Sequence, residues 1–95
     1  MPAVVRLGDK CSGHGCYPFR ENTEGSPNVF VNGKPVHRVG DSWASHCCGI
    51  PCHDGVASSG SSTVFVNGKP ICRIGDKVDC GSKMAEGSPN VFVGR

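Results

Sequence analysis

Aromatic side chains are scarce in this chain: four Phe, one Trp and one Tyr among 95 residues. The whole apolar fraction is 37%. A chain of this length forms one domain, and so little apolar material gives it a thin core that calls for a staple. Strong charge of either sign is also missing. The formal net charge is +2, no basic stripe stands out, and the aromatics fall inside strand-like patterns, which leaves a nucleic-acid surface without support. No stretch approaches membrane-spanning length. Met1 to Asp9 hold no apolar h-region, so the sequence predicts no secretory leader. No segment sustains a helical period, which predicts an all-β fold. No Gly-rich phosphate loop occurs, because Asn-Gly-Lys is turn chemistry.

What the chain does have is glycine (14), proline (7), cysteine (7) and histidine (4). An odd cysteine count without a leader predicts thiols in a reducing cell rather than a disulfide framework, unless the chain is exported by another route. Thiols and imidazoles in loops point to a metal.

The chain also repeats itself. Ser26-Pro27-Asn28-Val29-Phe30-Val31-Asn32-Gly33-Lys34-Pro35 returns as Ser61-Ser62-Thr63-Val64-Phe65-Val66-Asn67-Gly68-Lys69-Pro70, and again, truncated, as Ser88-Pro89-Asn90-Val91-Phe92-Val93-Gly94-Arg95. A second phrase keeps step: Arg6-Leu7-Gly8-Asp9, Arg38-Val39-Gly40-Asp41 and Arg73-Ile74-Gly75-Asp76. The spacing marks repeats over about residues 6–37, 38–72 and 73–95 of a single domain, 1–95. One such unit cannot bury its own apolar face, so the copies pack on one another. Three copies in so short a chain predict a compact object with pseudo-threefold symmetry.

Val-Phe-Val, Asn-Gly and the following strand read as a hairpin on a type I′ turn, at Asn32-Gly33 and again at Asn67-Gly68. The third copy stops where its turn would begin. Val4-Val5-Arg6-Leu7 carries the matching return phrase and is predicted to pair with Val91-Phe92-Val93. Each Asp of the Arg-x-Gly-Asp phrase suits a turn, where its carboxylate takes backbone amides. Three equivalent carboxylates are architecture rather than catalysis.

Aligned on those turns, His14, His46 and Cys80 follow Asp9, Asp41 and Asp76 by five, five and four residues. Three equivalent ligands converge on an axis, and a structural zinc wants a fourth. His53, in the long middle loop, supplies it, so the predicted site is His14, His46, His53 and Cys80. A cysteine-richer site or a second metal remains open, since Cys16 and Cys48 are also equivalent and Cys11, Cys47 and Cys52 lie nearby. These extra cysteines read as small buried packing residues. His37 and Cys72 read as strand-face residues, and Trp43 as packing. With four ligands filling a metal shell and no base left over, no enzyme is predicted.

These features together resemble the PAAR-repeat proteins, over essentially the whole chain. The carriers are the three Arg-x-Gly-Asp phrases, the three Val-Phe-Val strands, and Pro35-Val36-His37-Arg38, Pro70-Ile71-Cys72-Arg73 and Pro2-Ala3-Val4-Val5-Arg6, which stand where the family's name motif lies. The motif's alanines are replaced by Val, His, Ile and Cys. The resemblance implies a small cone with a zinc near its point, held by three His and one Cys, roles that fall on His14, His46, His53 and Cys80. It implies a mechanical function: a monomer whose broad base caps a trimeric β-helical spike, in phage tails or type VI secretion systems, and sharpens it for membrane piercing. The membrane is then touched only in passing. Many relatives carry toxin extensions; this chain reads as a stand-alone tip to which a separate effector can attach. It would be cytoplasmic during assembly, then carried on the virion tail tip or secreted with the apparatus. The alternative is a zinc-stabilised adaptor that attaches an effector.

Overall fold

The computed structural model describes residues 1–94; Arg95, the last residue of the third repeat, lies outside the described residues. Among these the fold is all-β, with no helix. Six strands make three antiparallel pairs: β1 (Phe30–Val31) with β2 (Lys34–Pro35), β3 (Ser42–Cys47) with β4 (Cys52–Val56), and β5 (Phe65–Val66) with β6 (Lys69–Pro70). The molecule is elongated, 37 × 24 × 21 Å.

The β1–β2 and β5–β6 hairpins turn on Asn-Gly as expected. Asn32 and Asn67 have φ of 54° and 56°, and Gly33 and Gly68 have 76° and 77°. Positive φ at both central residues is the type I′ signature, and its twist matches that of the strands it joins. The third copy closes on the N-terminus. Ala3 bridges Phe92, Val4 N–H donates to Val91 O at 3.0 Å, and Val93 N–H donates to Pro2 O at 3.1 Å.

The three repeats meet through contacts that recur at equivalent positions. Val5 N–H donates to Cys72 O, Cys72 N–H to His37 O, and His37 N–H to Val5 O, each at 3.0 Å, closing a ring. The Gly-Ser phrase stands against the neighbouring return strand: Ser26, Ser61 and Ser88 donate their N–H to Val36, Ile71 and Val4. The preceding glycines have no room for a side chain. A Cβ on Gly60 would lie 2.7 Å from Ile71 O, and one on Gly87 2.8 Å from Val4 O.

Two apolar clusters fill the inside. One joins Val4, Val36, Val66 and Ile71, with Val31, Val64, Val91 and Val93 of the hairpins packed against it. The other joins Val5, Cys11, Trp43, Ala57, Cys72, Val78 and Met84, and Cys80 borders it. Trp43 is a packing residue, as its sequence context indicated.

The Arg-x-Gly-Asp phrase is a self-contained clamp. In each copy the aspartate accepts the backbone N–H of its own arginine and both ends of the guanidinium: for Arg38 and Asp41 the distances are 2.8, 2.9 and 2.9 Å. Arg6–Asp9 and Arg73–Asp76 repeat it. The hydrogen bonds to Asp raise the pKa of all three arginines, against the pull of burial. A bidentate pair with its lone pairs otherwise occupied tolerates burial. The Arg38–Asp41 pair is the most buried, its side chains 8% and 0% exposed against 11% and 6% for Arg6–Asp9 and 17% and 8% for Arg73–Asp76. We therefore predict that Asp41→Ala, which strands the Arg38 charge, costs about 3–5 kcal/mol and lowers the melting temperature by more than about 10 °C. Asp9→Ala and Asp76→Ala should cost less in the same thermal melts. An equal loss in all three would contradict the burial argument.

Candidate metal centre

The middle loop is not a loop. β3 and β4 form the longest hairpin of the molecule, with a register shift between Trp43 and His46. The sequence expectation of an irregular segment here was wrong. The shift breaks the strict alternation by which a strand announces itself, and the connection lacks an Asn-Gly turn. The consequence matters for the site: His46 and His53 become register partners on facing strands.

His14 comes from the first repeat, on a tight turn closed by two backbone hydrogen bonds with Tyr17, at 3.1 and 2.8 Å. Cys80 comes from the third repeat. The ligand atoms of His14, His46, His53 and Cys80 all lie within 4.8 Å of one another. His53 Nε2 stands 3.1 Å from His14 Nε2 and 2.7 Å from His46 Nε2, and Cys80 Sγ is 4.0 Å from His46 Nε2. The structure thus gathers the four residues picked from the repeat alignment.

The residues fit a metal on grounds beyond proximity. His46 Nδ1 lies 2.7 Å from the Pro18 carbonyl, to which it donates, so its Nε2 carries the free lone pair. Such a hydrogen bond fixes ring tautomer and orientation in metal sites. Burial holds His46 below the ordinary histidine range, helped by Arg20 and the other two imidazoles and opposed by the Pro18 carbonyl. The neutral ring that results is the form that ligates. Imidazole nitrogens this close to one another need a proton or a metal ion between them. Three His and one Cys make a closed set of the kind that suits a structural ion.

Two supporting residues escaped the sequence reading. The Tyr17 ring lies against all three imidazoles, with centroids 4.8, 4.9 and 4.3 Å from those of His14, His46 and His53. Arg20 is buried, stands 5.3 Å over the Trp43 ring, and donates to Cys80 Sγ at 3.3 Å and Cys11 Sγ at 3.0 Å. The guanidinium thereby fixes the Cys80 sulfur beside the imidazoles. The available signal was that Arg20 is an arginine outside the repeated phrase.

The other cysteines divide. Cys11 and Cys72 are buried, as packing residues should be. Burial pushes the Cys72 thiol up. At Cys11 burial pushes the same way, but hydrogen bonds from Arg20, Gly13 and Ser82 together outweigh it and the thiol shifts down. Cys16, Cys47, Cys48 and Cys52 are neither buried nor free: Cys16 is bonded to Cys48 and Cys47 to Cys52. This corrects the expectation of reduced packing thiols. The β3–β4 register, unseen in the sequence, sets Cys47 opposite Cys52.

His37 is outside the metal group, as expected. It is fully buried, edge-on to Trp43, and its Nδ1 donates to Glu24 O at 2.7 Å. Its Nε2 has no partner among the described residues. A second proton would land on that orphaned nitrogen. Burial accordingly holds His37 below the usual 6.5, against the Glu24 carbonyl and Asp41, which pull it up. The unfolded chain therefore takes up a proton that the native state excludes, and stability falls as pH drops below about 6.5. We predict that the melting-temperature advantage of wild type over His37→Gln shrinks between about pH 7 and pH 5.5. A constant difference across that range would show that His37 does not titrate with unfolding.

These features define a small all-β repeat protein with a His3Cys group able to hold a metal ion. The PAAR motif model matches residues 21–86, and the chain belongs to that family. No curated protein matched the chain. Membership is consistent with a place at the spike tip of phage tails or type VI secretion systems.

Proposed function

We propose that this protein is a non-enzymatic, zinc-stapled tip that caps the trimeric β-helical spike of a contractile injection machine and sharpens it for membrane piercing. The observation that carries the reading is the threefold recurrence of one exposed aromatic. Phe30, Phe65 and Phe92 occupy equivalent places in the three repeats and are 54%, 55% and 48% exposed. A large apolar ring left half exposed at the equivalent place in every repeat suits a surface that a partner covers. Three near-identical contacts suit a partner with true threefold symmetry, met by one chain with pseudo-threefold symmetry.

The hairpins that carry these rings pack on one apolar cluster, while Cys80 of the metal group borders the other. That division supports a base made of hairpins and an apex made of metal loops. His14, His46, His53 and Cys80 hold the ion. Bound zinc supplies a rigid four-way link among chain segments that have little core of their own. Tyr17 backs the imidazoles, Arg20 holds the Cys80 sulfur, and the Pro18 carbonyl aims His46. On this reading the protein is assembled in the cytoplasm and leaves on the tail tip or with the secreted apparatus, with or without a separate effector. The test is co-purification: tagged chain should retain the spike trimer encoded with it. Failure to retain it, with zinc and fold intact, would favour the effector adaptor.

A further inference from the structure

We propose that the two disulfides are a redox-controlled lock on the metal centre: with the four thiols reduced the ion exchanges, and with them oxidised it is held. The inference rests on the metal reading above, and its starting point is where the bonds fall. Cys16 lies two residues beyond His14, and Cys48 two beyond His46, so the Cys16–Cys48 bond ties the His14 turn to β3. Cys47 and Cys52 directly follow and precede His46 and His53, so their bond ties β3 to β4 just beyond that register pair. Between them the two bonds join the segments that carry His14, His46 and His53 and leave Cys80 outside.

The pairing follows from strand geometry. Cys47 is the last residue of β3 and Cys48 the first beyond it, and successive side chains leaving a strand point to opposite sides. They cannot readily bond each other. Cys47 reaches across the hairpin, with a Cα–Cα distance of 4.1 Å to Cys52, and Cys48 reaches back to Cys16 at 5.4 Å. Both distances suit or nearly suit a disulfide. Exposure separates these thiols from the rest. Cys16, Cys47 and Cys52 are exposed and Cys48 is half-buried, whereas Cys11 and Cys72 are buried and Cys80 is held in the metal group by Arg20. An oxidant in solution therefore reaches the four and spares the three.

Each bond forms by exchange with a small-molecule disulfide such as oxidised glutathione. One protein thiolate attacks it and releases one thiol; the second protein thiolate then attacks the mixed disulfide and releases the other. Two protein thiols are oxidised, one external disulfide is reduced, and the two protons leave on the released thiols. The oxidised apo protein already holds its imidazoles together, so less ordering is needed when the ion enters, and less is gained when it leaves.

The experiment compares wild type equilibrated with reduced or oxidised glutathione, loaded with zinc chloride and then challenged with a chelator. Alkylation of the oxidised form under denaturing conditions should label three thiols, Cys11, Cys72 and Cys80. Peptide mapping should find Cys16–Cys48 and Cys47–Cys52. Zinc loss to the chelator should be at least about tenfold slower from the oxidised form. The double variants Cys16→Ser/Cys48→Ser and Cys47→Ser/Cys52→Ser should each narrow that gap while still binding one zinc. Equal loss rates in the two redox states, or a different pairing such as Cys47–Cys48, would overturn the lock while leaving the metal site standing. No zinc in either state, with the pairing as stated, would overturn the metal reading and the lock with it.

Discussion

His53→Ala should fail to hold zinc and should melt far below the wild type. The expectation follows from how little else ties the metal loops together. Both apolar clusters are small, and the His14 turn is held by backbone hydrogen bonds, ring contacts and a single disulfide. Structural zinc contributes on the order of 10 kcal/mol in small domains, comparable with the whole stability of a typical protein. His53 is central to the group, since its Nε2 approaches those of both His14 and His46. Its removal opens the set from the middle. Elemental analysis should find the metal content collapsed, and thermal melts should show the transition lowered together with it. A chelator should bring wild type toward the variant and leave the variant unmoved. Full zinc retention in His53→Ala, or a wild-type melt indifferent to chelator, would reject the assignment.

The second large effect is expected at the other cluster. Replacing Phe30, Phe65 and Phe92 together by Ala should weaken binding to the spike by three orders of magnitude or more, at about 2 kcal/mol for each buried aromatic anchor. Single replacements should each cost a part of this. The fold should survive, because all three rings are about half exposed in the free chain, while the hairpin valines carry the packing. Calorimetric titration of the spike with wild type and triple variant measures the loss, and zinc content and melting temperature control for folding. Undiminished binding, with loss instead on altering the metal loops, would mean that the base and apex have been exchanged.

Much of this structure could be read from the residues because repetition does the work of an alignment. Asn32-Gly33 and Asn67-Gly68 announce their turns, since few residues other than Asn and Gly accept positive φ there. The truncated third copy pointed to closure on the N-terminal strand, but the pairing falls at Pro2 to Val4, whereas Arg6 and Leu7 of the predicted Val4–Leu7 strand pair with the Pro35-Val36 return strand. The equal offsets of His14 and His46 from their Asp turns pointed to residues that the fold brings together in a group able to hold a metal. What stayed hidden lies where the repeat fails. β3 and β4 belong to the middle unit alone, and a register shift after Trp43 erases their alternation. Without that hairpin Cys47 and Cys52 had no reason to be partners, and His53 looked like a loop residue. Arg20 and Tyr17 act through contacts with residues distant in sequence, which no local pattern encodes. The nine hairpin residues of the Val-Phe-Val triplets also could not be sorted by sequence. The pleat does it: the central Phe of each triplet faces outward, and most of the flanking valines pack inward.

The most direct test of the whole account is native mass spectrometry of the protein bound to its spike. The account predicts one 9.9 kDa chain on each spike trimer, carrying a single zinc ion. Three chains per trimer, or a one-to-three complex that carries no metal, would contradict it.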